Sequence, residues 1–147
     1  MTTHEVPGAR IEVGSEAGEL DARLSRELTR FNVAATGCDD ERELTVTVLD
    51  EEGELIAGLS GWTWGTAAGI GMVWVHDDHR RASWGGRLLR AAEEEARARG
   101  CTQMTVSSFT FQAPAFYQKH GYVEFARTEG IPRPGHADVH MRKDLQD

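Results

Sequence analysis

The fold is decided by the stretch Ile70–Gly100, which reads IGMVWVHDDHRRASWGGRLLRAAEEEARARG. Its first part, Ile70–Val75, is a short and nearly continuous apolar run, which predicts a central strand covered on both faces. Its last part predicts an amphipathic helix that begins near Trp84 and ends at Gly100. The apolar face of this helix consists of Trp84, Leu88, Leu89, Ala92 and Ala96.

The segments before this stretch predict a helix and an antiparallel hairpin. Apolar residues recur at helical spacing from Leu20 to Phe31. Alternation over Leu44–Leu49, turn residues around Gly53 and a second apolar segment, Leu55–Trp64, predict the hairpin. Ala9–Val13 has the pattern of a first strand.

The segments after it predict three more strands and a short helix. Gln103–Ser107 is one strand, Ala113–His120 is the helix, and Tyr122–Arg127 and Val139–Leu145 are the last two strands. The element order predicts an α/β (α+β) fold with a mixed central sheet of about six to seven strands flanked by about four helices. We expect one domain over residues 1–147.

Composition and charge narrow the class of partner. The chain is 39% hydrophobic, which is enough for one core. Its formal net charge of −8 disfavours nucleic acid as a partner and favours a cationic small molecule. No apolar run approaches the roughly 20 residues that cross a bilayer, and Met1–Arg10 lacks the pattern of a signal peptide. We therefore expect a cytoplasmic protein that does not bind membranes.

Positive charge gathers in the turn Arg80–Gly86, before the strong helix. Unpaired N–H groups at a helix start favour negative charge, and Gly85 and Gly86 would let a phosphate approach the backbone closely. From the residues alone, two interpretations stay open: a phosphate-binding loop, or a turn whose glycines allow close helix packing and whose arginines are solvated. The turn matches neither GxxxxGK[ST] nor GxGxxG.

Two signatures resemble those of the GNAT N-acetyltransferases. The acyl-coenzyme A (CoA) loop of that family, [QR]-x-x-G-x-[GA], falls on Arg80–Gly85, with Ser83 where the first glycine is usual. The second signature, A-x-x-x-Y-x-x-x-G-[FY], matches Ala113–Tyr122, with Thr110 where an Asn often opens it. The resemblance covers residues 44 to 145 and implies a GNAT-like domain.

The resemblance implies that the fourth and fifth strands, Ile70–Val75 and Gln103–Ser107, splay apart and admit the pantetheine arm of acetyl-CoA. It also implies that Tyr117 protonates the leaving sulfur, since a phenol with a pKa of about 10 is protonated at neutral pH. By itself, Tyr117 also fits an aromatic residue on the inner face of a short helix. The residues implied to bind acetyl-CoA are Val73, Trp74, Val75, Arg80, Arg81, Ala82, Ser83, Trp84, Gly85 and Gly86.

The base that removes the amine proton has no family match, because Met72–Trp74 stand where many members carry a Glu. His136, in a Pro- and Gly-rich loop, is the first candidate, and a water relay is another solution. Further candidates are Asp40, Glu41, His76 and His120. Each of these residues also fits an ordinary surface or satisfied polar group.

The acceptor pocket is predicted from aromatic and acidic residues. Trp62 and Trp64 share one face of a strand and, with Glu41 and its acidic neighbours, would suit a cationic amine through cation–π attraction and charge pairing. The same tryptophans could instead pack under a helix. His76 and His79 lie in the turn before the loop, and we expect no metal there.

These features predict an N-acetyltransferase that moves an acetyl group from acetyl-CoA to a primary amine by direct attack. The acceptor would be a small, cationic molecule or a protein or peptide. The alternative is a non-catalytic acyl-CoA-binding or interaction module, which Ser83 and the missing strand Glu favour. The resemblance also allows a homodimer.

Overall fold

The computed structural model describes residues 7–146, which form two compact units that divide between Gly37 and Cys38. Residues 1–6 and residue 147 lie outside the described residues. Residues 1–6 include most of the segment Met1–Arg10, for which no signal-peptide pattern was found. Helix α1 (Gly18–Thr36) belongs to the first unit, and the sheet with the other helices belongs to the second. One domain over residues 1–147 stays a prediction.

Helix α1 forms where the apolar spacing predicts it. It ends at Gly37, whose left-handed backbone lets its N–H donate to the carbonyl of Val33 at 2.8 Å. The predicted strand at Ala9–Val13 is wrong, since these residues have no regular structure and Ile11 and Val13 are almost fully exposed. Three apolar residues, one of them an alanine, in a segment of five provide too little buried surface to hold a strand without a partner.

The second unit is built on a six-stranded mixed sheet with the order β1-β2-β3-β4-β6-β5. Strands β3 and β4 run parallel, whereas the other neighbouring pairs are antiparallel. This confirms the predicted mixed sheet, and the predicted fourth and fifth strands are β3 and β4. The strands are β1 (Arg42–Leu49), β2 (Leu55–Trp64), β3 (Ala67–Val75), β4 (Gln103–Phe109), β5 (Val123–Glu129) and β6 (Ala137–Asp144).

Three further helical segments accompany the sheet: a 3₁₀ segment (Asp77–Ala82), α2 (Trp84–Ala98) and α3 (Pro114–Lys119). Helix α2 buries Leu88 and Leu89 in the core, each 1% exposed. Burial of one such side chain stabilises the fold by about 1.5–3 kcal/mol. Within residues 7–146, no helix combines the length and apolar character that crossing a bilayer requires.

A buried ion pair fixes α2 against the sheet. The Glu93 carboxylate, only 3% exposed, accepts hydrogen bonds from Lys143 Nζ at 2.5 and 3.1 Å. Removing one partner of a buried pair costs about 3–5 kcal/mol, because the other charge is left without compensation. The pair therefore helps to hold the helix whose first turn faces the site described below.

Strand β3 is central, as predicted, but only one of its faces is covered beyond Gly71. Val73 and Val75 pack against the core, whereas Met72 and Trp74 are 73% and 46% exposed. The prediction of cover on both faces is wrong because an apolar run does not show what lies on each side of it. We call the face of the sheet that carries Met72 and Trp74, opposite α2, the outer face.

Candidate active site

The site is a slot where β3 and β4 separate. The two strands pair only from Ala67 to Gly69 and from Gln103 to Thr105. Just beyond, Gly71 is an extra residue in the register between β2 and β3, and such a bulge bends its strand. The splay predicted from the resemblance is thus confirmed. A cavity of about 1010 Å³ begins here, lined by β3, β4, the first turn of α2, and α3 with its preceding loop.

One wall of the cavity is the start of α2. Its first intrahelical bond runs from Arg87 N to the Ser83 carbonyl at 3.2 Å, so the preceding N–H groups have no partner within the helix. The first turn contains no acidic residue, and Ser83, Gly85 and Gly86 line the cavity. The helix dipole and these N–H groups together favour an anion at this position.

Ser83 adopts the backbone conformation that a glycine would adopt without strain. Its φ of 60° is in the left-handed region, and no other non-glycine residue between 7 and 146 has a positive φ. An L-residue pays roughly 1–2 kcal/mol in this region. The departure from the family pattern therefore keeps the glycine-like loop geometry, at a conformational cost.

The positions of Gly85 and Gly86 are compatible with both interpretations that the sequence left open. A Cβ at Gly85 would lie 2.9 Å from Phe116 Cζ, and one at Gly86 would lie 2.9 Å from His120 Cε1. The ring of Phe116 in α3 and the ring of His120, which directly follows α3, thus pack on the first turn of α2, while the same glycines line the cavity. Close packing and an accessible backbone coexist because neither glycine has a side chain.

The arginines near the loop differ in their surroundings. Arg80 lines the cavity and pairs with Asp77 Oδ1 at 2.8 Å. Arg87 instead lies over the Trp84 ring, with its Cζ 4.0 Å from the ring centroid. Arg90 also lines the cavity. The sequence could have predicted this, because Arg90 lies four residues after Gly86 and therefore on the same side of the helix. Of the predicted loop residues, Arg81, Ala82 and Trp84 do not line the cavity.

Tyr117 lines the cavity from α3 and is 8% exposed. Burial raises the pKa of its phenol above the ordinary value, so the hydroxyl stays protonated at neutral pH. Its ring packs edge-on against Phe116 and Tyr122, with centroids 5.1 and 5.9 Å away. These contacts hold the phenol in place without taking up its proton.

Most of the predicted base and acceptor residues lie outside the cavity; the base candidate His120 is the exception and lines it. His136 packs edge-on against Phe111, with ring centroids 5.2 Å apart; Phe111 lines the cavity and His136 does not. Glu41 is exposed away from the cavity, Trp62 covers Gly69, and Trp64 Nε1 donates to the Cys38 carbonyl at 3.1 Å. Trp74 is the tryptophan that lines the cavity. Between residues 7 and 146, no cluster of His, Cys, Asp and Glu is suited to a metal ion.

Sequence reasoning missed two residues on the outer face, Ser107 and His140. Ser107 lines the cavity, and its Oγ lies 2.8 Å from His140 Nδ1. The two residues are far apart along the chain and meet only through the pairing of β4 with β6. No local motif contained this signal.

Similarity to known proteins agrees with this geometry. Residues 42–124 match the model of the acetyltransferase (GNAT) domain. A blasticidin-S acetyltransferase of Streptomyces morookaense is 42% identical over 99 residues, covering 65% of this chain and 70% of that protein. The crystal structure of an acetyltransferase from Bacillus cereus superposes with a TM-score of 0.79 at 29% identity, covering 92% of this chain and 97% of that one.

A more distant structure adds a fold comparison. An aminoglycoside 6'-N-acetyltransferase complexed with coenzyme A superposes with a TM-score of 0.65 at 19% identity, over 71% of this chain and 74% of that one. The family match spans more than half of the chain and includes the loop, the slot and Tyr117. The chain therefore belongs to the GNAT family and is an acyl-CoA-dependent acetyltransferase.

Proposed function

We propose that this enzyme transfers an acetyl group from acetyl-CoA to a primary amine of a small, cationic molecule by direct attack. The observation that carries the proposal is that three features open onto one cavity: the N-terminus of α2, the splayed edge of β3 and the Tyr117 phenol. They match the pyrophosphate, the pantetheine amides and the thioester of one extended donor.

The phosphate end of acetyl-CoA would bind at Ser83–Gly86. The N–H groups of this turn and the guanidinium groups of Arg80 and Arg90 can make charge-assisted hydrogen bonds. Each such bond is worth about 1.5–3 kcal/mol, so several together bind a pyrophosphate in spite of the negative charge of the chain. Arg81, Ala82 and Trp84 would contribute by shaping the loop.

The pantetheine arm would pair with the backbone of β3. Beyond Gly69 the side of β3 that faces β4 has no strand partner, so the backbone of Met72–Val75 can accept an extended ligand as an added strand. Splaying alone makes these groups accessible, because parallel pairing to β4 would otherwise satisfy them. Val73, Trp74 and Val75 would contribute to this pairing, as the resemblance implies.

Tyr117 would protonate the sulfur as the thioester breaks. Its raised pKa keeps the phenol protonated at neutral pH, so a proton is available for the leaving sulfur, and Tyr117 lines the cavity that holds the slot. His136 as the base stays a prediction; its ring contacts Phe111, which lines the cavity, whereas His136 does not.

A small amine is the acceptor that three observations support. The relative that is 42% identical is named for acetylation of blasticidin S. The chain carries a net charge of −8. Trp74, which lines the cavity with its side chain on the outer face, offers a ring for cation–π attraction. Any contact of the acceptor with Trp62, Trp64 or Glu41 would lie outside this cavity. A homodimer stays a prediction.

Thiol release from acetyl-CoA tests the proposal. The acceptor panel contains blasticidin S, an aminoglycoside, spermidine, free amino acids and a lysine peptide. We expect turnover with at least one small amine and weaker turnover with the peptide. Tight CoA binding by calorimetry without turnover on any acceptor would support the non-catalytic alternative instead.

A further inference from the structure

Three side chains from three neighbouring strands form a hydrogen-bonded row on the outer face. Ser107 of β4 lies with its Oγ 2.8 Å from Nδ1 of His140 on β6, and Nε2 of His140 lies 2.8 Å from Thr128 Oγ1 on β5. Both ring nitrogens therefore have a hydroxyl partner. The row runs from the cavity wall toward the edge of the sheet.

The position of Ser107 gives this row a chemical meaning. Pairing of β3 with β4 ends at Thr105, and Ser107 is two residues further along β4, where the slot has opened. Its side chain is exposed and points to the outer face, whereas the next residue, Ser108, is buried and its Oγ accepts from Ala113 N at 3.1 Å. Ala113 precedes α3, which carries Tyr117.

Ser107 and Tyr117 therefore border the slot from opposite faces of the sheet. A nucleophile and a leaving group on one carbonyl carbon need a proton acceptor and a proton donor at different positions. We propose that Ser107 and His140 form the relay that accepts the proton of the attacking amine. This inference rests on the proposed acetyl transfer and supplies the base that the strand lacks.

The relay requires one tautomer of His140, which the row can support. With its proton on Nε2, the ring donates to Thr128 Oγ1 and leaves Nδ1 bare to accept the Ser107 hydroxyl proton. Ser107 is the catalytic residue because it touches the amine. His140 and Thr128 are positioning residues that act through it.

The proton and electron balance closes. The neutral amine forms the C–N bond as the carbonyl π pair moves to oxygen. The nitrogen then loses a proton to Ser107 Oγ, while the Ser107 proton passes to His140 Nδ1. When the oxyanion re-forms the carbonyl, the C–S bond breaks and Tyr117 protonates the sulfur. Solvent afterwards removes the proton from His140 and returns one to Tyr117.

Other imidazoles are less well placed. His136 contacts Phe111 but does not line the cavity, and His120 packs on Gly86 and Phe116 near the start of α2. The charged groups beside His140 on the outer face are Asp138 and Arg142 of β6. Within β4 and β5, the residues that meet His140 are uncharged: Ser107, Thr128, Ala126 and Phe125.

The pH dependence of kcat/KM tests the relay. In the native enzyme, both the amine and His140 must be neutral, so log kcat/KM should rise with a slope of two at the acid end of the profile and with a slope of one at higher pH. Ser107→Ala and His140→Phe should lower kcat/KM at pH 8 about 100-fold and leave a slope of one throughout. Thr128→Val should give a smaller loss and a shifted inflection.

Controls separate the relay from folding and from the proposed function. Ser60→Ala removes a hydroxyl from β2, outside the cavity, and should keep the native profile. CoA affinity of Ser107→Ala should stay within threefold of native. If His140→Phe does not fold, Ser107→Ala, which changes an exposed side chain, decides alone. Native rates and a slope of two in Ser107→Ala overturn the relay; absence of turnover by the native enzyme overturns the proposed function and the relay together.

Discussion

The two long helices of this protein begin in opposite ways. Helix α1 starts with Glu19 and Asp21 in its first turn, and these acids compensate the positive end of its dipole. Helix α2 has no acid in its first turn and starts from the left-handed Ser83, with two glycines following. The charge at one helix start is compensated by acidic side chains of the same helix, whereas the other start has no such side chain and favours an external anion.

The largest effect, a loss of CoA affinity, is expected from placing an acidic residue in the first turn of α2, as α1 has. Gly85→Asp would place a carboxylate beside the N–H groups that we assign to the pyrophosphate, and the loss of two charge-assisted hydrogen bonds should weaken CoA binding about 100-fold or more. Gly85→Ala is the matched steric control, since it meets Phe116 without adding charge. Calorimetry with CoA measures both. Equal affinities of the two variants would mean that charge at this turn is irrelevant.

Removing the Tyr117 hydroxyl should slow the acetyl-transfer step without weakening the binding of acetyl-CoA. Tyr117→Phe should lower kcat about 100-fold, the scale of general acid catalysis, with the KM for acetyl-CoA changed less than threefold. Tyr122→Phe is the control. It loses a bond to Met104 Sδ and about 1 kcal/mol of stability, and it should keep its kcat. Steady-state kinetics with unchanged kcat in Tyr117→Phe would remove the assigned role.

A smaller effect is expected from the left-handed residues that adjoin the two helices. Ser83→Gly, before α2, should raise the free energy of unfolding by about 0.5–1 kcal/mol, because it relieves a positive φ. Gly37→Ala, after α1, should lower it by about 1 kcal/mol, since nothing crowds the new Cβ and only the φ of 74° opposes it.

Denaturant unfolding measures both changes. CoA affinity of Ser83→Gly should stay within threefold of native, which would show that the backbone of this residue matters more than its hydroxyl. A tenfold loss of affinity would instead assign a phosphate contact to Ser83 Oγ. A drop in stability would mean that Ser83 is not strained.

The smallest effect on stability is expected from raising the pH toward 10. Burial raises the pKa values of Tyr117 and Tyr122 in the folded state above the unfolded value of about 10. The folded state therefore holds these protons more firmly, and their contribution to stability is complete below about pH 10 and is lost as pH rises through the folded values. Thermal melting should show no tyrosine-linked change from pH 8 to 9.5 and a decline above pH 10. A Tyr117→Phe, Tyr122→Phe double variant should decline less.

Periodicity predicted most of the sheet and the strong helix. The hairpin of β1 and β2 and the bounds of α2 follow from alternation and from i,i+4 spacing, which are local properties of the chain. The strand at Ala9–Val13 failed because local alternation cannot supply a pairing partner. The prediction that both faces of β3 are covered failed because its apolar run does not specify what packs on each face.

The sequence by itself determined the family and predicted roles for the loop at Arg80–Gly86 and for Tyr117, because these features are short signatures with characteristic spacing. Only the tertiary structure decided where the slot opens and which polar groups border it. The bulge at Gly71 and the pairing of β4 with β6 bring Ser107 and His140 together across the sheet. Such pairs depend on strand register, which is set by the packing of the whole sheet and is not encoded by neighbours along the chain.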